Sequence, residues 1–160
     1  MLLAIAAQAV YYYPQLPEQV ATHFGVDGVA DDWSSKNAFF VGEGVAVVLM
    51  MLTFLVMPRF LRLMPDSLVN LPNKAYWLAP SRREATLQKM EDGMIWCGVA
   101  TLGLMLVIFQ WAIQANLQPP QQIPAGSLWL LLAAYSGVLM VWVVRFCRSF
   151  RLPAGEIAAS

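Results

Sequence analysis

Three long runs of apolar residues constrain the fold of this chain more than any other feature. They extend over about residues 39–57, 94–114 and 128–146. A helix rises about 1.5 Å per residue, so about 20 residues are needed to cross a hydrocarbon core of about 30 Å. Each run is predicted to be a membrane-spanning helix, because in lipid every backbone amide needs an internal partner. The composition agrees, since 59% of the 160 residues are hydrophobic and only 12% are charged, against roughly a quarter charged in a soluble domain.

The N-terminal apolar stretch, about residues 1–13, is shorter than the other three. As a helix it reaches only about 20 Å, so we interpret it as a short or truncated first span. Ala7-Gln8-Ala9 resembles a signal-peptidase site, which leaves cleavage as the alternative. Pro14 is expected to stop the helix. The predicted fold is therefore an all-α bundle of four membrane helices, forming a single domain over residues 1–160.

The basic residues predict the orientation of these spans. Residues 14–37 contain a single Lys and four acidic residues, and residues 58–93 contain six basic residues. Residues 115–126 contain no charge, and residues 145–151 carry three Arg. By the positive-inside rule, residues 58–93 form a cytoplasmic loop and residues 14–37 an outer loop. With four spans, both the N-terminus and the C-terminus are predicted to lie in the cytoplasm.

A helix is predicted over about residues 82–93 of the cytoplasmic loop. Ser81 with Glu84 has the spacing of a capping box, and Pro80 precedes it. Arg82 and Arg83 can contact anionic lipid headgroups, or they can be ordinary topology-setting charges.

No catalytic signature is present in the sequence. There is no phosphate-binding loop, no HExxH, no GxSxG and no zinc-ligand spacing, and His23 is the single histidine. Cys97 and Cys147 do not form a CxxC pair. The net charge is zero, so no basic field points to nucleic acid. We therefore expect no enzymatic activity, no cofactor, no metal and no nucleic-acid partner.

The outer loop is the most structured part outside the spans. Pro17 is expected to open a short helix there, and glycines at 25 and 28 to permit turns. The loop also offers oxygen ligands for a hard cation such as calcium, although their spacing differs from the EF-hand loop; they are Asp27, Asp31, Asp32 and Ser35. The alternative is that the aspartates cap turns, while Trp33 and Lys36 anchor the chain at the membrane interface.

Glu43 is the acidic residue inside an apolar run. It is either a proton- or ligand-responsive carboxylate that faces the bundle, or an interfacial acid hydrogen-bonded to a neighbouring helix. Two patches of small residues at a spacing of four predict close helix packing within the bundle or with a partner; they are Gly42 with Ala46 and Ala133 with Gly137.

Several motifs together resemble the domain of unknown function 1648. They comprise a proline-bounded start, a histidine–aromatic pair, a glycine turn, an acidic pair with an aromatic, and a lysine before an apolar helix: Leu16-Pro17, Thr22-His23-Phe24, Gly28, Asp31-Asp32-Trp33 and Ser35-Lys36. A second signature common in such proteins is similar to three motifs in the middle loop: Asn70-Leu71-Pro72-Asn73-Lys74, Tyr76-Trp77-Leu78-Ala79-Pro80 and Arg82-Arg83-Glu84. The resemblance extends from about Tyr11 to Met94, with Ser81 at a position where an acidic residue is expected.

The resemblance implies a multi-pass protein of the bacterial cytoplasmic (inner) membrane. The domain also occurs at the N-terminus of SdpI-type bacterial immunity proteins, which protect a cell against a secreted toxin. We therefore expect a non-catalytic protein that binds a ligand or partner, or senses it, in an immunity- or regulator-like role. The alternatives are an accessory subunit of a larger membrane complex and, third, a small transporter that depends on Glu43.

The expected partners are the lipid bilayer and either another membrane protein or a second copy of this chain. The candidate contact residues come from both loops and the first long span; they are His23, Phe24, Asp31, Asp32, Trp33, Lys36, Glu43, Tyr76, Trp77, Arg82 and Arg83.

Overall fold

The computed structural model describes residues 1–152 and is mostly helical. Five α-helices and two β-strands follow each other along these residues: α1 Leu2–Tyr12, β1 Gln19–Phe24, β2 Ala30–Ser35, α2 Lys36–Met51, α3 Lys74–Trp77, α4 Arg83–Leu117 and α5 Ala125–Arg148. Short 3₁₀ segments lie at Tyr13–Gln15 and Asp66–Leu68.

Within residues 1–152, three helical segments are long and apolar enough to cross a membrane, namely Lys36–Arg62, Arg83–Leu117 and Ala125–Arg148. The first begins as α2 and continues as a π-helical turn and a 3₁₀ segment. The predicted helical character of the three apolar runs is confirmed. By contrast, α1 contains 11 residues and rises about 17 Å, so a fourth span and the orientation of the helices stay predictions.

The expectation of an all-α fold is wrong for residues 19–35, which form an antiparallel hairpin. Gln19 pairs with Ser35, Val20 with Ser34 and Ala21 with Trp33, and the register shifts between Ala21 and His23. The short helix expected to begin at Pro17 is therefore absent, and β1 follows instead. Val20, Thr22 and Phe24 favour extended backbone because β-branched and aromatic side chains pack well on a pleated surface.

Two glycines lie in the turn between the strands, as the sequence indicated. The Gly25 N–H donates to the Val29 carbonyl at 2.8 Å, and the Gly28 N–H donates to the Gly25 carbonyl at 2.8 Å. Gly28 has φ +81°, and a Cβ atom there would clash with the Ile123 carbonyl. Both the backbone conformation and the available space thus require glycine at 28.

The described residues group into two compact units. The first contains Met1–Met50 and Val99–Tyr135, and the second contains Met51–Gly98 and the described residues from Ser136 onward. The single domain expected over residues 1–160 stays a prediction, and its residues 153–160 lie outside the described part of the chain.

Each unit has its own buried apolar cluster. In the first unit, Leu16 and Val20 pack with Phe39 of α2 and Ile113 of α4. In the second unit, the cluster is centred on Leu87 of α4 and Phe150, which follows α5.

Candidate functional site

The most elaborate polar structure in the first unit is the hairpin head, which we define as residues 16–35 and 118–124. The segment after α4 pairs with the hairpin turn: the Ala30 N–H donates to the Gln121 carbonyl at 3.2 Å, and the Ile123 N–H donates to the Gly28 carbonyl at 2.9 Å. A bridge between Val29 and Gln122 lies in the same place. The two parts of the head are therefore joined through backbone hydrogen bonds.

Asn116 closes the free edge of β1. Its Oδ1 accepts from the Ala21 N–H at 2.6 Å, and its Nδ2 donates to the Ala21 carbonyl at 2.9 Å. Nδ2 also donates to the Ala112 carbonyl at 2.9 Å, and Oδ1 accepts from Gln121 Nε2 at 3.3 Å. The amide thus satisfies both backbone groups of Ala21, which is 0% exposed, as a neighbouring strand would do.

Two tryptophans fix the outer part of the head. The Trp33 indole Nε1 donates to Gln121 Oε1 at 2.7 Å. The Trp129 indole Nε1, at the start of α5, donates to the Val26 carbonyl at 3.2 Å. Trp33 therefore connects the hairpin to the segment after α4, and its side chain remains partly exposed.

The face of the hairpin away from the core carries an exposed polar pair. His23 Nδ1 and Asp31 Oδ1 are 2.5 Å apart, and both side chains are exposed. The tip residue Val26 is 81% exposed. This surface combines an apolar tip with a polar pair. The backbone that carries it is held in place by the side chains of Asn116 and Gln121.

The other aspartates serve the local backbone. Asp27 Oδ1 accepts from the Val29 N–H at 3.1 Å, and Asp32 Oδ1 accepts from the Trp33 N–H at 2.9 Å. The Asp27 bond matches the turn-capping interpretation, whereas Asp32 lies within β2 and does not cap a turn. Within residues 1–152, no group of three or more His, Cys, Asp and Glu residues is arranged to hold a metal ion.

The side chains of two further predicted contact residues make their contacts inside the first unit. Phe24 is half-buried and packs against the apolar cluster. Lys36 Nζ lies 2.8 Å from Glu18 Oε1 and 5.1 Å from the centre of the Tyr13 ring. Both side chains therefore hold the hairpin against the helices.

Glu43 lies on the buried face of α2, together with Phe39 and Val47. It is 2% exposed, and neither carboxyl oxygen has a hydrogen-bond partner among the described residues. The hydrogen bond to a neighbouring helix that the second interpretation required is therefore not formed within residues 1–152.

The small-residue patches do not pack closely within the described chain. A Cβ atom at Gly42 or Gly137 would have no neighbour within 4 Å, and Ala133 is exposed. These faces are thus open to lipid or to a partner.

Three of the four predicted contact residues of the second unit form a cluster around two aromatic rings, and the fourth, Arg83, pairs with an aspartate. The Arg82 guanidinium lies 3.8 Å from the centre of the Tyr76 ring, and its Nε donates to the Tyr76 carbonyl at 3.1 Å. The Trp77 indole Nε1 donates to the Phe150 carbonyl at 2.7 Å. Arg83 Nε donates to Asp66 Oδ1 at 2.9 Å. All four predicted residues therefore stabilise the loop before α4 through contacts inside the unit.

Sequence reasoning missed an ion cluster in this unit. Arg62 forms ion pairs with Glu84 and with Glu91, the latter at 3.0 Å, and donates to Gln88 Oε1 at 2.7 Å. The three acceptors follow each other at spacings of four and three on α4, which places them on one helix face. The spacing of the three acceptors could have been recognised in the sequence. The position of Arg62 opposite them could not, because it depends on how the chain folds.

The fold and the site define the class of protein. The described part of the chain is mostly helical, with three helices of membrane-spanning length and an exposed hairpin fixed to the end of one of them. Residues 1–52 match the family model of a domain of unknown function, DUF1648. The match confirms the family resemblance for this part of the chain, which comprises α1, the hairpin and α2. The motifs between residues 70 and 84 lie outside the match, and their assignment stays a prediction.

Two further comparisons gave no relatives. No curated protein matches the chain, and no solved structure matches it either.

Proposed function

We propose that this protein is a non-catalytic, multi-pass protein of the bacterial cytoplasmic membrane whose hairpin head binds a protein partner or ligand in a sensing role of immunity or regulatory type. The observation that carries the proposal is the combination of a fixed backbone and an exposed mixed surface. Asn116 and Gln121 hold the hairpin from below, while His23, Asp31 and Val26 remain exposed.

A fixed surface favours binding because less conformational entropy is lost when a partner docks. An apolar tip beside polar groups also has the composition of protein interfaces, in which an apolar centre is rimmed by polar side chains. The positive-inside rule predicts that the head lies on the outer side of the membrane, so the partner would approach from outside the cell.

The test is site-specific photocrosslinking in intact membranes. A photoreactive amino acid at Val26 is expected to give a discrete adduct with one partner. The adduct should be lost in a His23→Ala, Asp31→Ala double variant and retained in Thr22→Ala, which changes an exposed residue of the same strand. The fold should survive the double variant, because exposed ion pairs contribute only about 0–1 kcal/mol.

Two outcomes contradict the proposal. One is the absence of any discrete adduct from Val26 in cells that contain the folded protein in their membrane. The other is an adduct of equal yield in the wild type and the double variant.

A second candidate function, an accessory subunit of a membrane complex, is favoured by the open small-residue faces at Gly42 and Gly137. Such faces allow two helices to approach closely. In mild detergent, this function predicts a stoichiometric membrane partner that is lost in Gly137→Leu and kept in the His23→Ala, Asp31→Ala double variant.

A third candidate, a small transporter, is favoured by the buried and unpartnered carboxyl group of Glu43, since acidic residues inside membrane segments often mark ion pathways. Transport by the purified protein in liposomes should then be lost in Glu43→Gln. Transport that survives this variant removes the candidate.

A further inference from the structure

Three buried side-chain oxygens among residues 1–152 have no hydrogen-bond donor, and they belong to two residues of the first unit. They are Oε1 of Gln8 in α1 and both carboxyl oxygens of Glu43 in α2. Gln8 is 7% exposed and Glu43 is 2% exposed. Buried polar atoms of native proteins are nearly always hydrogen-bonded, so the two residues share the same unusual deficit, an acceptor without a donor.

Contacts between the helices place Gln8 and Glu43 at the same depth. The Phe39 ring of α2 lies 5.9 Å from the Phe109 ring of α4. From this contact, α2 leads away from the hairpin, and Glu43 follows Phe39 by about 6 Å of helical rise. Gln8 Nε2 donates to the carbonyl of Leu106, which precedes Phe109 on α4 by about 4.5 Å. Both side chains therefore lie about one helical turn from the Phe39–Phe109 contact, on the side away from the hairpin.

The face of α2 that carries Glu43 lies between α1 and α4. Phe39 contacts α4, and the ring of the next residue, Phe40, lies 5.5 Å from the ring of Tyr13, which directly follows α1. Residues three and four apart are neighbours on a helix surface, so Glu43 lies beside both phenylalanines. Gln8 precedes Tyr13 by about 7.5 Å of rise, and it therefore reaches the depth of Glu43 from the α1 side.

The amide of Gln8 is oriented so that its oxygen is the unused group. Nε2 donates to the Leu106 carbonyl at 3.4 Å and to Gln110 Oε1 at 2.8 Å. Both amide hydrogens are therefore used, and Oε1 can only accept. An ionised Glu43 carboxylate also only accepts, so no hydrogen bond can join the two side chains in that state. A proton on Glu43 turns its carboxyl group into a donor.

We propose that Gln8 and Glu43 form a proton-binding site inside the first unit. Glu43 takes a proton from the solvent, and its neutral carboxyl group donates the resulting O–H to Gln8 Oε1. One proton then satisfies the amide oxygen, removes a buried charge and links α1 to α2. An unpaired carboxylate at this burial is strongly unfavourable, and groups in such places become neutral instead.

A divalent cation fits these oxygens less well than a proton does. Ca²⁺ takes about six to eight oxygen ligands, and Mg²⁺ takes about six in octahedral geometry. Gln8 and Glu43 together offer three unused oxygens. A proton needs only one donor and one acceptor, and these two residues supply both.

No charged side chain of the surrounding helices takes the place of the proton. Among the described residues of the first unit, α1 and the segments 99–117 of α4 and 125–135 of α5 contain no charged side chain. Lys36 of α2 lies about two turns from Glu43 and is paired with Glu18. The other titratable groups of these elements are exposed, as at Met1 and Tyr11, or hydrogen-bonded elsewhere, as at Tyr12, Tyr13 and Tyr135.

Infrared spectroscopy of the whole chain in lipid nanodiscs at neutral pH tests whether the proton is present. A protonated carboxyl group gives a C=O stretching band that is separate from the bands of carboxylates. We expect this band in the wild type and its loss in Glu43→Gln. Glu18→Gln, which changes an exposed acidic residue of the same unit in the same way, is the control and should keep the band.

Two further measurements test whether Gln8 accepts the proton's hydrogen bond. Gln8→Leu removes the acceptor, so the carboxyl band should shift in frequency. Hydrogen exchange of the α1 amides reports the link between α1 and α2. Glu43→Gln keeps a donor for Gln8 Oε1, so α1 should exchange within about threefold of the wild type. Glu43→Leu has no donor, and α1 should exchange about tenfold faster.

The proposal is overturned if the wild type lacks the carboxyl band or if the band is unchanged in Glu43→Gln, because Glu43 is then ionised. It is also overturned if the band keeps its frequency in Gln8→Leu, or if Glu43→Gln and Glu43→Leu affect α1 equally. None of these outcomes depends on the hairpin head or on transport, so the proposed functions are tested separately.

Discussion

Replacing Asn116 with Ala removes the side chain that closes the edge of β1. Ala21 is fully buried, and both its N–H and its carbonyl are bonded to the Asn116 amide. Each buried backbone group that loses its partner is unfavourable by roughly 1–3 kcal/mol. Some water will reach the space that the truncation leaves, so we expect the hairpin to lose about 2–4 kcal/mol of stability.

Hydrogen exchange of the protein in lipid nanodiscs measures this loss locally. A two-stranded sheet is marginal on its own, so the hairpin should open before the helices do. Since about 1.4 kcal/mol corresponds to a factor of ten, the amides of residues 19–35 should exchange roughly 30-fold to several-hundred-fold faster. The amides of α5 should keep their wild-type exchange rates.

Asn37→Ala is the matched control for this prediction. It also deletes an asparagine side chain with a hydrogen bond, to the Tyr13 hydroxyl at 2.5 Å, but that bond is exposed. Its effect on residues 19–35 should stay within about threefold. If Asn116→Ala changes the exchange rates no more than Asn37→Ala does, the reasoning about the edge of β1 is refuted.

Three further substitutions test other parts of the structure. Gly28→Ala should destabilise the hairpin, because position 28 has positive φ and no room for a Cβ atom. Gly44→Ala, which lies in open space within α2, is the control and should be neutral or slightly stabilising. Thermal unfolding in detergent compares the two variants, and equal unfolding temperatures would contradict the prediction. Arg62→Met should destabilise the second unit by roughly 1–3 kcal/mol, because the nearly buried Glu91 loses its closest cation; adding Glu91→Gln should restore part of the loss, and a denaturant series that shows no recovery argues against the pairing. Trp77→Phe keeps an aromatic ring but loses the indole hydrogen bond to the Phe150 carbonyl. The free energy of local unfolding of the loop before α4 should fall by about 1 kcal/mol, which makes the loop more susceptible to protease. Unchanged protease cleavage in this loop would contradict the prediction.

The spanning helices were predictable because their signal is local. Each apolar run is long enough by itself to specify a helix in lipid, and the Ser81–Glu84 spacing that predicted a helix start lies at the beginning of α4. The turn at glycines 25 and 28 was also predictable, since glycine between two short extended segments is a local turn signal. The clash with the Ile123 carbonyl, which also requires glycine at 28, was not predictable because Ile123 is distant in sequence.

The hairpin was not predictable in the same way. Its buried edge is completed by Asn116, which lies 95 positions after Ala21, and nothing near Pro17 signals that partner. In the sequence, Asn116 is one amide just beyond an apolar run, where hydropathy gives it little weight.

The candidate contact residues also divide into those with a local sequence signal and those whose role depends on distant residues. The exposed pair of His23 and Asp31 can be suggested from residue types in a loop, whereas the fastening role of Trp33 depends on Gln121, which is distant in sequence. Glu43 could be singled out because it is an acidic residue inside an apolar run. Its burial on the inner face of α2 required the packing of that helix against its neighbours.

The dependence of the hairpin on Asn116 and Gln121 limits how this chain can be cut and recombined. The segment that matches the domain model ends at residue 52, yet the groups that cap its sheet come from beyond residue 110. In a graft of residues 1–52 into a foreign scaffold, the hairpin will therefore not fold by itself. It needs a helix end with a carboxamide in the same place, supplied by the host or by a second polypeptide added in trans.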